Sequence, residues 1–241
     1  MKIKNKFNES LDYEFHDSDN PWVVVIGHGV TAHKDRPLVL DTVQALRAAN
    51  FSTFHFSFSG NGHSEGRFED ATISKELDDL DAVLSFLEGK KHIAYIGHSM
   101  GGAVGVLKAA NDVRIQRLIS HAGMVETQHF YTAEFGDLTP DNALMWDEPH
   151  CPLSSAFKKD LCETIASTAA SIPHIRQAWL LLHGTQDSVV PISDSQKAHA
   201  LCAHSEMVTI EGGDHLFNES ARDDLLKITV EWLIRHTSSE A

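Results

Sequence analysis

The run "WVVVIGHG", from Trp22 to Gly29, sets the strongest limit on how this chain can fold. Its apolar, largely β-branched residues are continuous rather than alternating, so a strand made from them must be covered on both faces. A sheet held between helices meets that demand, and the sequence supplies the helices. In "RPLVLDTVQALRAA" the residues Leu38, Val39, Thr42, Val43 and Leu46 fall at helical spacing, with Asn50 placed to close the helix. "FSTFHFSF" reads as the next strand and "SGNGHSEGR" as a loop. "SKELDDLDAVLSFL" is an amphipathic helix with Leu77, Leu80, Val83, Leu84 and Leu87 on one side. "HIAYIGHS" is a further strand, Met100 to about Ala110 a helix of small residues, and "RIQRLISHA" a strand again. This alternation with short connections predicts a mainly parallel sheet with helices on both faces.

Two short alternating runs precede it, around Ile3 to Phe7 and Leu11 to Phe15, and read as a hairpin at the sheet edge. Beyond Gly123 the rhythm breaks. Up to about Pro173 no strand is evident, only aromatics (Phe130, Tyr131, Phe135, Trp146), turn formers and one helix expected around Phe157 to Ala169. An interruption of that length is typical of a functional lid. "AWLLLHG", a helix over Ser193 to Ala203, "EMVTI" and a last helix from about Ala221 to His236 restore the alternation.

Charge and cysteine content narrow the function classes. A net charge of -14 repels nucleic acid and anionic lipid, so neither is expected as a partner. Cys151, Cys162 and Cys202 cannot all pair within one chain, and none lies in a C-x-x-C spacing, which suits reduced thiols in the cytoplasm. The polar N-terminus lacks the apolar core of a signal peptide, and no apolar run approaches the ~18 residues of a membrane span.

Three loop features carry chemistry. "GHSMG", Gly97 to Gly101, stands between a strand and a helix. A serine hydroxyl attacks only if a base can reach its proton, so it must stand clear of the backbone. A tight strand-to-helix turn achieves that, neighbouring glycines relieve its crowding, and the helix N-terminus favours an oxyanion formed there. Chance would place G-x-S-x-G about 0.08 times in a chain of 241 residues. Asp187, in "LLLHGTQDSVVP", and His215, in "EGGDHLF", each follow a strand. Alone, the first would be a turn aspartate and the second a surface histidine. Together, Ser99, Asp187 and His215 all lie just past strand ends, which share one edge of a parallel sheet.

With those residues in view, the chain resembles the α/β-hydrolases. The similarity is to small serine esterases and to monoacylglycerol-lipase-like or serine aminopeptidase-like hydrolases. It covers nearly the whole chain and rests on "GHGVTAHKD", "SFSGNGHSEG", "GHSMGG", "HGTQDSVVP" and "GGDH". The resemblance implies an α/β-hydrolase fold in one domain over 1–241, with a small cap inserted after the sixth strand at about 124–173. It implies Ser99 as nucleophile, His215 as base, Asp187 as the acid that orients it, and an oxyanion hole from the N–H groups of Val30 and Met100. Two positions depart from the pattern: Ser57 replaces a structural aspartate, and Ala178 a proline.

The sixteen histidines are scattered without H-E-x-x-H, and His199 and His204 are five apart, so no catalytic metal is expected. No cofactor is implied either. His28 and His98 are read as loop-shaping hydrogen-bonders, and Lys34 and Asp35 as anchors of the following helix. The expected reaction is hydrolysis of a small or medium carboxylic ester through an acyl-enzyme. An apolar or aromatic acyl part is favoured by the cap aromatics and by similarity to bacterial cinnamoyl and feruloyl esterases. Monoacylglycerol lipase, thioesterase and small peptidase are the enzymatic alternatives, and a ligand-binding receptor that keeps the triad is the non-enzymatic one. The partner expected is a small-molecule ester; a homodimer is compatible with this reading.

Overall fold

The computed structural model describes residues 2–89, 91–218 and 220–238. Among them, seven strands form one sheet: β1 (Tyr13–His16), β2 (Trp22–Gly27), β3 (Ser52–Phe56), β4 (His92–His98), β5 (Ile115–His121), β6 (Ala178–Gly184) and β7 (Ser205–Ile210). Their order is β1-β3-β2-β4-β5-β6-β7. Only β1 runs antiparallel, against β3, and the other pairings are parallel.

The continuous apolar run of β2 divides between two cores, as its length and composition require. Val23 and Val25 face one side with helices α2 (Ile73–Leu87) and α3 (Met100–Ala109). Trp22, Val24 and Ile26 face the other, against α1 (Pro37–Ala48) and α7 (Ser220–Thr237). β6 repeats the alternation, with Trp179 and Leu181 in the first core and Leu180 and Leu182 in the second. Helix α6 (Ile192–Leu201) joins the first core through Ala198. Asn50 closes α1 in the left-handed conformation, with φ 63°.

Three readings need correction. The first run forms no strand; it contributes a bridge between Lys4 and Ser10. Asn5 is the reason: its side-chain oxygen accepts from the N–H groups of Phe7 (2.9 Å) and Glu9 (3.0 Å), closing the segment into a turn. The long insertion therefore follows the fifth strand of the chain. Second, Lys34 and Asp35 do not cap α1, whose N-cap is Arg36 without a side-chain bond. The buried Lys34 ammonium instead holds Asp35 at 2.8 Å and Glu14 at 3.1 Å, tying this loop to β1.

Third, the insertion is more helical than its composition suggested. Helix α4 (Thr127–Phe135) was not anticipated, and α5 (Ser155–Lys159) runs into a π-helical turn over Asp160–Ile165. That turn ends at Ala166, φ 56°, short of Ala169. Asp160 reaches the N–H of Ser74 at 3.1 Å and its hydroxyl at 2.5 Å, fastening the turn to the start of α2. Phe130, Tyr131, Phe135 and Phe157 are buried against one another, with the exposed Trp146 tilted against Phe135 at a centroid distance of 4.9 Å.

Both ends of the insertion are fastened at one place. Buried Asp194, in the first turn of α6, accepts from the N–H groups of Val125 (2.7 Å) and Glu126 (3.0 Å). Val125 in turn accepts from the N–H of Thr168 at 2.9 Å. Asp194→Ala strands two N–H groups and is expected to lose about 2–3 kcal/mol in urea unfolding. Asp194→Asn, which keeps one oxygen, should lose less than half of that.

Candidate active site

The carboxyl ends of the parallel strands meet at one edge, where Gly27 pairs with Gly97, His98 with His121 and Gly184 with Ile210. At the end of β4 the chain turns sharply into α3 through Ser99, whose φ of 53° and ψ of -118° lie where a side chain is strained. The turn is held by its backbone. Ser99 N–H donates to His121 O (3.0 Å), and Ser99 O accepts from Gly102 N (2.9 Å) and Met124 N (3.0 Å). No side chain fits beside it: a Cβ on Gly97 would stand 2.3 Å from Gly101 O, and one on Gly101 2.5 Å from His28 O. Met100 is the first residue of α3, a position whose N–H has no acceptor within an α-helix.

The loop after β2 lies directly against this turn. A Cβ on Gly29 would be 3.0 Å from Ser99 Cβ and 3.4 Å from its Oγ, which brings the neighbouring Val30 to the serine's side. His28 fixes that loop. Its Nδ1–H donates to Gly29 O at 2.8 Å, and its Nε2 accepts from Phe58 N at 3.0 Å. Both ring nitrogens are committed, and burial pushes its pKa down to about 4, so His28 shapes the loop as a neutral ring. Ser57, in the aspartate's place, accepts the N–H of Lys34 at 3.1 Å, a packing role.

Asp187 and His215 come together from loops after β6 and β7. The Asp187 side chain is fully buried, and its Oδ1 accepts from Val189 N and Val190 N at 2.9 Å each. Its Oδ2 accepts from His215 Nδ1 at 2.8 Å. Burial works to raise this carboxyl, but hydrogen bonds from His183 and His215 outweigh it, and the acid is held well below the usual carboxylate range. With its proton on Nδ1, His215 presents a bare Nε2 able to accept one. His98, next to the serine, donates from Nε2 to His215 O at 2.9 Å, and their ring centroids are 4.8 Å apart. This contact brings the His215 loop to the Ser99 turn. Burial pushes His98 down to about 3, so it too stays neutral.

Ser99 itself is 3% exposed, enclosed beneath the loops. The arrangement can move a proton: a hydroxyl on a strained turn, a helix N-terminus beside it, and an imidazole whose tautomer is set by a buried carboxylate. Sequence reasoning missed His183, which also touches Asp187, although it stands in the quoted "LLLHGTQD". It missed Asp194 as well, for which an aspartate one turn into a helix gave no distinct signal. Among the described residues, no group of histidine, cysteine or acidic side chains could hold a metal ion, and no helix is long and apolar enough to cross a membrane. The three cysteines are free thiols.

A mainly parallel sheet that turns into a helix through a strained serine, with an acid and a histidine on later loops, defines the α/β-hydrolase class. The chain belongs to the alpha/beta hydrolase family, whose profile matches residues 23–228. Among relatives, it is 28% identical over 195 residues to the uncharacterized protein YfhR of Salmonella typhimurium, covering 75% of this chain and 60% of that protein. It is 21% identical to the mitochondrial palmitoyl-protein thioesterase ABHD10 of Bos taurus, over 95% of this chain and 78% of that one. Among solved structures, Est1E of Butyrivibrio proteoclasticus with ferulic acid bound superposes with a TM-score of 0.88 at 23% identity, covering 99% of both chains. The Pyrococcus furiosus esterase Pf2001 follows the same fold, at a TM-score of 0.76 and 17% identity over 98% of this chain and 92% of that one.

Proposed function

We propose that this chain is a serine hydrolase that cleaves a small or medium carboxylic ester. The observation that carries the proposal is the His215–Asp187 pair, which leaves a basic Nε2 on a ring packed beside the Ser99 turn. In this reading His215 takes the Ser99 proton as Oγ attacks the ester carbonyl, and Asp187 steadies the imidazolium that forms. The N–H groups of Val30 and Met100 receive the oxyanion. Collapse expels the alcohol, which takes the proton from His215, and leaves an acyl group on Ser99. Water, deprotonated by His215, then releases the carboxylic acid and restores the serine.

Est1E, whose structure holds ferulic acid, supports an aromatic acid as the acyl part. The segment over 124–173 acts as a cap in this reading, with its aromatic cluster continuous with the first core of the sheet. One observation favours a second substrate class: a relative that matches over 95% of this chain is a palmitoyl-protein thioesterase, so acyl thioesters belong in the same test. A panel of p-nitrophenyl esters, feruloyl esters and acyl thioesters, run beside fluorophosphonate labelling, decides. Multiple turnovers with a burst, and an adduct on Ser99, support the proposal. Ligand binding without turnover or adduct would instead identify a receptor.

A further inference from the structure

His215 is not the sole imidazole on Asp187. His183, the penultimate residue of β6, is completely buried, and its Nε2 lies 3.3 Å from Asp187 Oδ2, the same oxygen that holds His215. The Nε2 also lies 2.9 Å from Val190 O. A carbonyl and a carboxylate only accept, so Nε2 must carry the proton. Nδ1 lies 2.7 Å from Ser195 Oγ, a hydroxyl that can give or take the hydrogen between them. Ser195 is itself wholly buried in the first turn of α6. Ser195 and Val190 O thus fix the His183 ring, whose Nε2–H, bonded to Val190 O, also lies against the Asp187 carboxylate that accepts from His215 on its other side.

We infer that His183 is a positioning residue of the acid–base pair, holding the Asp187 carboxylate in its plane and drawing off part of its charge, so that it governs how basic His215 is. The inference rests on the reading of Ser99, Asp187 and His215 given above. Its physical ground is the shared oxygen. The His215 N–H on Oδ2, the His183 Nε2–H 3.3 Å from the same oxygen, and two backbone N–H groups on Oδ1 hold the carboxylate from every side. An N–H 3.3 Å from Oδ2 also competes with His215 for the same negative charge. Removing it gives His215 the whole of that charge, which stabilises the imidazolium. The titratable groups facing this pair are Asp194 on α6, which senses His183, and His98 on β4, which stacks on His215 and stays neutral. Burial keeps His98 neutral and raises the Asp194 carboxyl, so the His183 contribution is read from the difference between variants that share both groups.

The test uses the rate constant for inactivation by a fluorophosphonate, followed from pH 4.5 to 9, which needs no knowledge of the substrate. The full chain is compared with His183→Phe, His183→Gln and Ser195→Ala, each checked for folding by near-UV circular dichroism. Loss of a hydrogen bond to a charged group corresponds to about one pH unit. In His183→Phe the acidic limb is therefore expected to move up by about one unit, with a plateau about tenfold lower. His183→Gln returns an N–H to Oδ2 and should bring the limb most of the way back. Ser195→Ala weakens the donor without removing it, shifts the limb the same way by less, and keeps the test open if His183→Phe does not fold. An unmoved limb in folded His183→Phe and Ser195→Ala, with only thermal stability reduced, overturns the inference and leaves His183 a packing residue. Failure of the unaltered chain to label at Ser99 overturns the underlying reading instead, so the two failures are distinct.

Discussion

Ser99→Ala is expected to reduce ester or thioester hydrolysis by about four to six orders of magnitude and to abolish fluorophosphonate labelling, while the chain still folds. Alanine removes one oxygen and keeps the Cβ, so the turn between β4 and α3 keeps its geometry and its strain. Ser99→Gly should be equally inactive yet behave differently on heating. A non-glycine residue at φ 53° carries about 1–3 kcal/mol of strain. Glycine removes that cost and returns about 0.4–1 kcal/mol through the looser unfolded chain. Ser99→Gly is therefore expected to be more stable than Ser99→Ala by about 1 kcal/mol, or roughly 2–4 °C in Tm for a chain of this size. Calorimetry of the two inactive variants checks this; equal stabilities would show that the elbow stores no strain. Retained labelling of Ser99→Ala would place the nucleophile elsewhere.

Acidification should unfold this protein well above the pH at which carboxylates titrate. Burial holds His28 at about 4 and His98 and His121 at about 3, all far below the ordinary imidazole value of 6.5. Between those values and 6.5 the unfolded chain binds protons that the folded chain refuses, so stability falls as pH falls. Glu76 acts in the opposite sense. Burial, with Asp79 and Asp160 nearby, raises its carboxyl well above 4.5, so the folded chain keeps a proton there that the unfolded chain releases. His33 and His55, also lowered by burial, add to the three imidazoles, and Asp79 and Asp194, raised by burial, add to Glu76; the imidazoles outnumber the carboxyls, so unfolding takes up protons between pH 5 and 6. Each imidazole left unopposed contributes about 1.4 kcal/mol of lost stability per pH unit. Urea titrations at half-unit intervals measure the slope directly. His121→Gln removes one of the three imidazoles and should lower the slope by about 1.4 kcal/mol per pH unit. A flat profile between pH 5 and 6 would mean that these rings are protonated in the folded chain.

The sheet was readable because its central strands are buried on both faces, and continuous apolar runs have few other uses in a chain of this kind. The N-terminal run misled because alternation at a sheet edge resembles a turn rich in polar residues; Asn5 decides the matter by bonding to its own neighbours. Helix α4 was hidden in plain sight. Phe130, Tyr131 and Phe135 fall at helical spacing, but read as loose aromatics they suggest a pocket wall. Of the site, the turn at Ser99 and the loops bearing Asp187 and His215 were legible, since each announces itself by small residues at a strand end. His183 and Ser195 were not, because their meeting depends on how α6 lies over β6. No local pattern records that distance.

Val125 and Thr168 meet through one hydrogen bond at the point where Asp194 grips the chain. Everything between them leaves the sheet and returns at a single spot. Such a segment behaves as a cassette held at two fixed ends, with Asp160 and its buried aromatics seating it on α2 and the first core. Selection for a new substrate can then act on one stretch of the gene while selection for folding acts on the rest. Descendants of a common ancestor are expected to agree in their strands and elbow and to diverge most between these two residues.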